Sequence, residues 1–197
     1  NILVLVGKRE RKREKKKRHK PVLSIMTAVK YGLQIATAID YLHHKFHPQA
    51  TIIHRDLKPD NIGFDEMGQI KLMDFGLCAI VQRRTSVSQT YKMTGGTGSL
   101  RYMAPEVVRR CRYTESVDVY SFGIILWQMC TGLSPFSGMD RNQFIKRVVY
   151  GHERPSLHYG EQTGHVLLPD HLIRILERCW CEEREKETER ARVRERE

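Results

Sequence analysis

From Ser24 to His44 apolar residues recur at helical spacing. Met26, Val29, Leu33, Ala36 and Ile39 stand at i, i+3, i+4 and i+7 intervals, and Tyr41-Leu42-His43 closes the run, which predicts one long helix. Lys45 to Thr51 is a polar connector containing Pro48, and Ile52-Ile53 reads as a short buried strand. Two strand-like runs follow, Ile62-Gly63-Phe64-Asp65 and Ile70-Lys71-Leu72-Met73. They flank Glu66-Met67-Gly68-Gln69, the pattern of a β-hairpin with glycine in its turn. Asp118 to Gly132 is apolar nearly all round, as a buried helix is, with Gly132 suited to its C-terminus and Ser134-Pro135-Phe136 as the loop beyond. Asn142 to Tyr150 predicts an amphipathic helix that Gly151 to Pro155 breaks, and Leu172 to Trp180 predicts another. The sum is a mainly α chain of the α+β class with short β-hairpins.

Charge divides the 197 residues unevenly. The net charge is +11, of which Lys8 to Lys20 supplies +8 through ten basic and two acidic residues. The tail 182–197 is almost wholly charged but nearly balanced, so the stretch between is only mildly basic. The basic tract has no apolar periodicity and ends at Pro21. It reads as a solvated linker, with a nuclear-localisation or nucleic-acid tract as the alternative. No aromatic residue interleaves it, which argues against base stacking and a nucleic-acid partner. Asn1 to Val6 could form a strand. Neither that run nor Phe122 to Cys130 is long enough to cross a membrane, so the expected setting is soluble and cytoplasmic, with nuclear entry through 8–20 as the variant. The five cysteines are scattered without zinc-site spacing, which suits reduced thiols.

Chemistry concentrates in His54-Arg55-Asp56-Leu57-Lys58-Pro59-Asp60-Asn61 and, after the hairpin, Asp74-Phe75-Gly76. A hairpin returns the chain to its starting end, so Asn61 and Asp74 can meet at one site. These blocks resemble the catalytic loop and magnesium-binding turn of eukaryotic protein kinases, in which phosphoryl transfer needs hard oxygen ligands for Mg²⁺ and a carboxylate aimed at a hydroxyl. The resemblance implies Asp56 as the base, Lys58 beside the transferred phosphoryl, and Asn61 and Asp74 on magnesium, with ATP as the nucleotide. It also implies that His54 and Phe75 pack together structurally, and that Arg55 pairs with a phosphate on the loop from Asp74 to Glu106. That loop is rich in hydroxyls and glycine and reads as mobile. Thr94 or Thr97 is its favoured phosphosite, which brings in an activating kinase as a candidate partner.

Gly98-Ser99-Leu100-Arg101-Tyr102-Met103-Ala104-Pro105-Glu106 resembles the kinase segment that closes this loop and receives the substrate. Ser99 takes the place of the residue that hydrogen-bonds the base and the lysine. Ser99 and Lys58 together imply a protein substrate with a Ser or Thr acceptor. Asp118 matches the aspartate that holds the catalytic-loop backbone. Tyr-Ser-Phe-Gly-Ile-Ile-Leu-Trp with Tyr-Met-Ala-Pro-Glu looks most like the tyrosine-kinase-like branch. His43 and His44, read as having no carboxylate partner nearby, are expected to be helix-end residues.

The resemblance implies three parts: a strand remnant and basic linker over 1–20, a protein-kinase-like large lobe over 21–181, and a charged tail over 182–197. The glycine-rich loop, strand lysine and helix glutamate of a small lobe are not found, so the small lobe reads as absent or truncated. Gly63 stands where a larger residue often underlies the adenine, and the arginine expected to pair with Glu106 would fall among residues 185–189, where acids dominate. Two readings follow: a serine/threonine kinase fragment, weak or inactive by itself, and a catalytically inactive large-lobe module that acts as a protein-binding scaffold.

Overall fold

The computed structural model describes residues 23–86, 89–93, 99–157 and 168–181. The expected strand at 1–6, the basic tract, the charged tail, Thr94 and Thr97 lie outside them.

The molecule is built around the helix that the sequence marks as apolar on every side. It runs Ser116–Thr131 and buries fourteen residues from Val117 to Thr131. We number the α-helices α1 Ile25–Asp40, α2 Pro105–Val108, α3 Ser116–Thr131, α4 Arg141–Phe144 and α5 Asp170–Trp180. Gly132 ends α3 in the left-handed conformation at φ 69°, and its N–H donates to Gln128 O at 2.8 Å. A side chain with a Cβ would be strained there.

α1 starts at Ser24, whose hydroxyl accepts from Thr27 N–H at 3.1 Å. Its buried face is Ala28, Gly32, Ile35 and Ile39. This differs from the expected stripe, because Met26 is 78 % and Leu33 68 % exposed. The reason is steric. A Cβ on Gly32 would lie 2.9 Å from Leu126 Cδ1, so the small-residue face lets α1 approach α3 more closely than a Met-Leu face could. Beyond Asp40 the chain does not stop but widens into a π-helical turn, Tyr41–Lys45.

The strands form two separate antiparallel pairs. The expected hairpin is present as β2 Ile62–Phe64 and β3 Ile70–Leu72, registered Ile62↔Leu72 and Phe64↔Ile70. Asp65 shapes its turn by accepting from Met67 N–H and Gln69 N–H, with Gly68 at φ 75°. The second pair joins β1 Ala50–Ile53 to β4 Ala79–Gln82. β4 corrects the reading of residues 74–106 as a mobile loop. Its short run of Ala-Ile-Val carries too little pattern to show as a strand, and its partner lies about 30 positions earlier.

α5 packs against α3 as well. A Cβ on Gly123 would stand 2.6 Å from Cys179 Cβ and 2.7 Å from Trp180 Nε1. α4 begins with a capping box between Asp140 and Gln143 and passes into a π-helical turn, Ile145–Tyr150. No helix among the described residues is long and apolar enough to cross a membrane. The five cysteines are free, and burial pushes the thiol of Cys130 up to about 12.

Gly123 and Gly32 are both contact glycines, but with different tolerance. Gly123→Ala meets the rigid Cβ of Cys179 and the indole, and is expected to cost about 1–3 kcal/mol. Gly32→Ala meets only the tip of a leucine and is expected to cost less. Urea unfolding monitored by tryptophan fluorescence measures both.

Candidate active site

Asp118, in the first turn of α3, is the anchor. Its Oδ2 accepts from His54 N–H at 2.7 Å and its Oδ1 from Arg55 N–H at 2.8 Å. Oδ2 also meets His43 Nε2 at 2.9 Å, and both side chains are buried. The acid-free reading of His43 is therefore corrected. Its carboxylate partner exists but is 75 positions away in sequence. His44 likewise meets Asp40 at 3.0 Å, on the surface. Arg55 takes φ 69°, the left-handed region, with its N–H held by the carboxylate.

This anchoring presents Asp56, which is buried yet fully engaged. Lys58 Nζ donates to its Oδ2 at 2.5 Å, and Asn61 Nδ2 donates to Oδ2 at 3.1 Å and to the Asp56 carbonyl at 2.8 Å. Oδ1 accepts from Ser99 N–H at 3.0 Å. Ser99 thus reaches Asp56 through its backbone rather than the hydroxyl that the resemblance implied. Burying a carboxylate is costly unless its lone pairs are met, and here three donors meet them.

The β2–β3 hairpin does what its spacing suggested. Met73 N–H donates to Asn61 O at 2.9 Å, so Asp74 follows directly from a residue bonded to Asn61. Asp74 is exposed and left-handed at φ 61°, with Oδ1 accepting from Gly76 N–H at 3.3 Å. No group of three or more His, Cys, Asp or Glu side chains that could cage a metal occurs among the described residues. An amide oxygen and one carboxylate at the hairpin's open end are hard donors of the kind that magnesium takes with phosphate and water completing its shell, so these residues fit that ion.

His54 is fully buried and tilts against Phe75 with ring centroids 4.9 Å apart. Its Nε2–H donates to Met73 O at 3.0 Å, and Nδ1 accepts from Asp56 N–H at 3.4 Å. Both nitrogens are thus occupied within the fold. The space beside Gly63 is filled: a Cβ there would lie 3.0 Å from Met73 Cε. Met73 was not among the expected residues, nor was Arg83, whose guanidinium caps the first π-helical turn at His44 O (2.7 Å) and His47 O (2.8 Å). Sequence offered no signal for either.

The substrate-side segment is held to α3 by two polar side chains. Ser121 Oγ donates to Tyr102 O at 2.7 Å, and the Tyr102 hydroxyl donates to Gln128 Oε1 at 2.7 Å. Burial pushes that phenol up to about 12. Glu106 is half-buried in the first turn of α2, and residues 185–189 lie outside the described residues. Arg84 pairs with Glu115 at 2.7 Å, both largely buried. Burial works against the Glu115 charge, but the Arg84 hydrogen bond and charge, with backbone help, outweigh it and leave the carboxyl below its usual range.

Residues 3–193 match the family model described as protein kinase domain. The chain is 36 % identical over 160 residues to the serine/threonine/tyrosine-protein kinase HT1 of Arabidopsis thaliana, covering 81 % of this chain and 36 % of that protein. It is 41 % identical over 160 residues to the serine/threonine-protein kinase VIK of the same plant, covering 80 % and 34 %. Against ribosomal protein S6 kinase alpha-6 of Homo sapiens the identity is 43 % over 131 residues, covering 66 % and 16 %. The chain thus spans about a third or less of the relatives it matches.

Asp118→Asn places an amide nitrogen against an N–H or a histidine ring, and is expected to destabilise the fold by about 2–4 kcal/mol in urea unfolding. Glu115 has a lowered folded-state value. The stability it contributes is therefore present above its unfolded value of about 4.3 and is lost as pH falls through the lower folded value. Glu115→Gln is expected to flatten that part of the acid-unfolding curve, read by circular dichroism against pH.

Proposed function

The chain belongs to the protein kinase domain family, and on that footing we propose that residues 21–181 form the large lobe of a serine/threonine kinase. It transfers the γ-phosphate of ATP to a protein hydroxyl. The observation that carries the reading is the convergence of Lys58, Asn61 and the Ser99 N–H on the buried carboxylate of Asp56. A carboxylate fixed on both oxygens has a defined direction, which is what taking a proton from an incoming hydroxyl requires.

In this reading Asp56 orients the acceptor hydroxyl and receives its proton as the oxygen bonds to phosphorus. Lys58 offsets negative charge on the moving phosphoryl group. Asn61 directs its Nδ2 into Asp56, which leaves Oδ1 as the end available to a cation. Asn61 and Asp74 would hold magnesium, which when bound neutralises phosphate charge. Asp118 acts through the backbone of His54 and Arg55 as a positioning residue. Arg55 and the hydroxyl of Thr94 or Thr97 remain the pair assigned to loop phosphorylation, and the cell compartment proposed is the cytoplasm. Lys58, Ser99 and the name of VIK support Ser/Thr as acceptors, and the name of HT1 adds tyrosine to them.

A second reading is supported by one surface. Leu33, Tyr41, Leu72 and Phe75 line a groove of about 610 Å³ between α1 and the β3 side of the hairpin, with Phe75 42 % exposed. An open apolar groove suits a module that works by binding another polypeptide.

Transfer from radiolabelled ATP to a Ser/Thr protein substrate, with magnesium present, separates the two. Asp56→Asn is expected to lower it roughly 10²–10⁴-fold. Transfer that this substitution leaves unchanged, or no transfer from the chain and from any longer product of its gene, gives way to the binding reading.

A further inference from the structure

α1 keeps its most regular apolar stripe out of the core. Met26 is 78 % and Leu33 68 % exposed, and Val29 beside them is exposed as well. By the helical repeat, Met26, Leu33 and Thr37 share one face of α1. Farther along the same helix, Thr37, Tyr41 and Leu42 line one side of the groove of about 610 Å³, with Leu72 and Phe75 also on its walls. The patch therefore holds a ridge at one end and a hollow at the other. From Met26 to the middle of the hollow at Ala38 is about 18 Å at the helical rise per residue.

Size and charge both bear on what covers this face. Met26, Val29, Leu33, Tyr41 and Phe75 together leave about 600 Å² open, at the top of the range of apolar patches found on monomers. Two such patches placed face to face bury about 1,200 Å², the lower end of what specific interfaces bury. Lys30 is the one charged side chain between Met26 and Tyr41 that is fully exposed, and Gln34 and Thr37 beside it are neutral. A two-fold contact repeats every pairing about its axis, so it needs a ridge and a matching hollow on one surface. This surface has both.

We propose that the outer face of α1 joins two copies of this chain. The two α1 helices pack antiparallel about a two-fold axis beside Leu33, where the two Leu33 side chains meet. Met26 of each copy enters the hollow of the other, against Thr37, Ala38 and Tyr41. Lys30 of each lies against Gln34 and Thr37 of the other, so no like charges are opposed. A second copy suits the site better than an unrelated polypeptide, because the hollow and the side chain that fills it belong to one surface. The pairing rests on the groove of the binding reading and gives it an occupant, and it holds whether or not Asp56 transfers phosphate.

The whole chain is followed by sedimentation velocity from about 1 to 100 µM at about 0.15 M salt, where charge is screened beyond about 8 Å and the +11 on each copy repels less. A species of 23.1 kDa is expected to give way to one of twice that mass, with a dissociation constant on the order of 10 µM. Met26→Glu and Thr37→Arg alter the ridge and the hollow separately, at solvent-exposed positions where circular dichroism is expected to show an unchanged fold. Each alone is expected to weaken the pair roughly tenfold or more. Their equimolar mixture is expected to regain it, because the new carboxylate meets the new guanidinium on one side and Met26 keeps Thr37 on the other. A photoreactive group at position 26, in mixed isotopically light and heavy chains, is expected to link light to heavy at residues 37–42. A dimer that neither substitution weakens, a mixture as monomeric as its parts, or links from position 26 to residues 1–22 of the same copy overturns the proposal. A monomer throughout also overturns it but leaves the groove open to another polypeptide, so the pairing and the binding reading fail separately.

Discussion

A single buried carboxylate joins the three pieces of chain on which this molecule depends. Asp118 takes the backbone N–H groups of His54 and Arg55 and the ring of His43 at once. It thereby ties the core helix, the loop carrying Asp56 and the π-helical turn that follows α1 into one unit. A hydrogen bond to a charged group is worth about 1.5–3 kcal/mol, twice a neutral one, and a carboxylate left short of donors in the interior is costly. The three segments must therefore meet in one geometry. The positive φ of Arg55 belongs to that geometry, because it turns the chain so that two successive N–H groups reach one carboxylate.

The same helix distributes the rest of the site. Ser121 and Gln128 hold the segment around Tyr102, and Trp127 Nε1–H donates to Ser156 O at 2.8 Å. A helix that is apolar on every side would pack in many rotations. Polar side chains aimed at particular backbone atoms select one of them. Asp56 and Ser99 come together with both of their segments referred to α3, and the Ser99 N–H then closes the contact on the carboxylate.

Close approach is the second device. Gly32 and Gly123 remove the side chains that would separate α1 and α5 from α3. The exchange has a consequence on the outside of α1. Choosing the Ala28–Gly32 face for the core leaves Met26 and Leu33 outward, and Leu33 becomes one wall of the groove that Phe75 also lines. The apolar surface of this protein follows from how its core is packed.

Much of the fold was legible. Helical spacing marked α1 and α5, apolar residues on every side marked α3, the hairpin was spaced by its own turn, and the run His54 to Asn61 with Asp74 pointed to the family. Each of those signals is local, carried by residues a few positions apart whose periodicity reports their own backbone. What sequence left hidden depends on partners distant along the chain: the Asp118 carboxylate for His43, the backbone route from Ser99 to Asp56, and the pairing of β4 with β1. The face of α1 that enters the core was also undecidable from spacing, since two of its faces are apolar and only the fit against Leu126 distinguishes them. The chain by itself determined which elements form and which residue types carry chemistry. The tertiary structure decided which of them meet, because a hydrogen bond or a van der Waals fit exists only between surfaces already brought to contact.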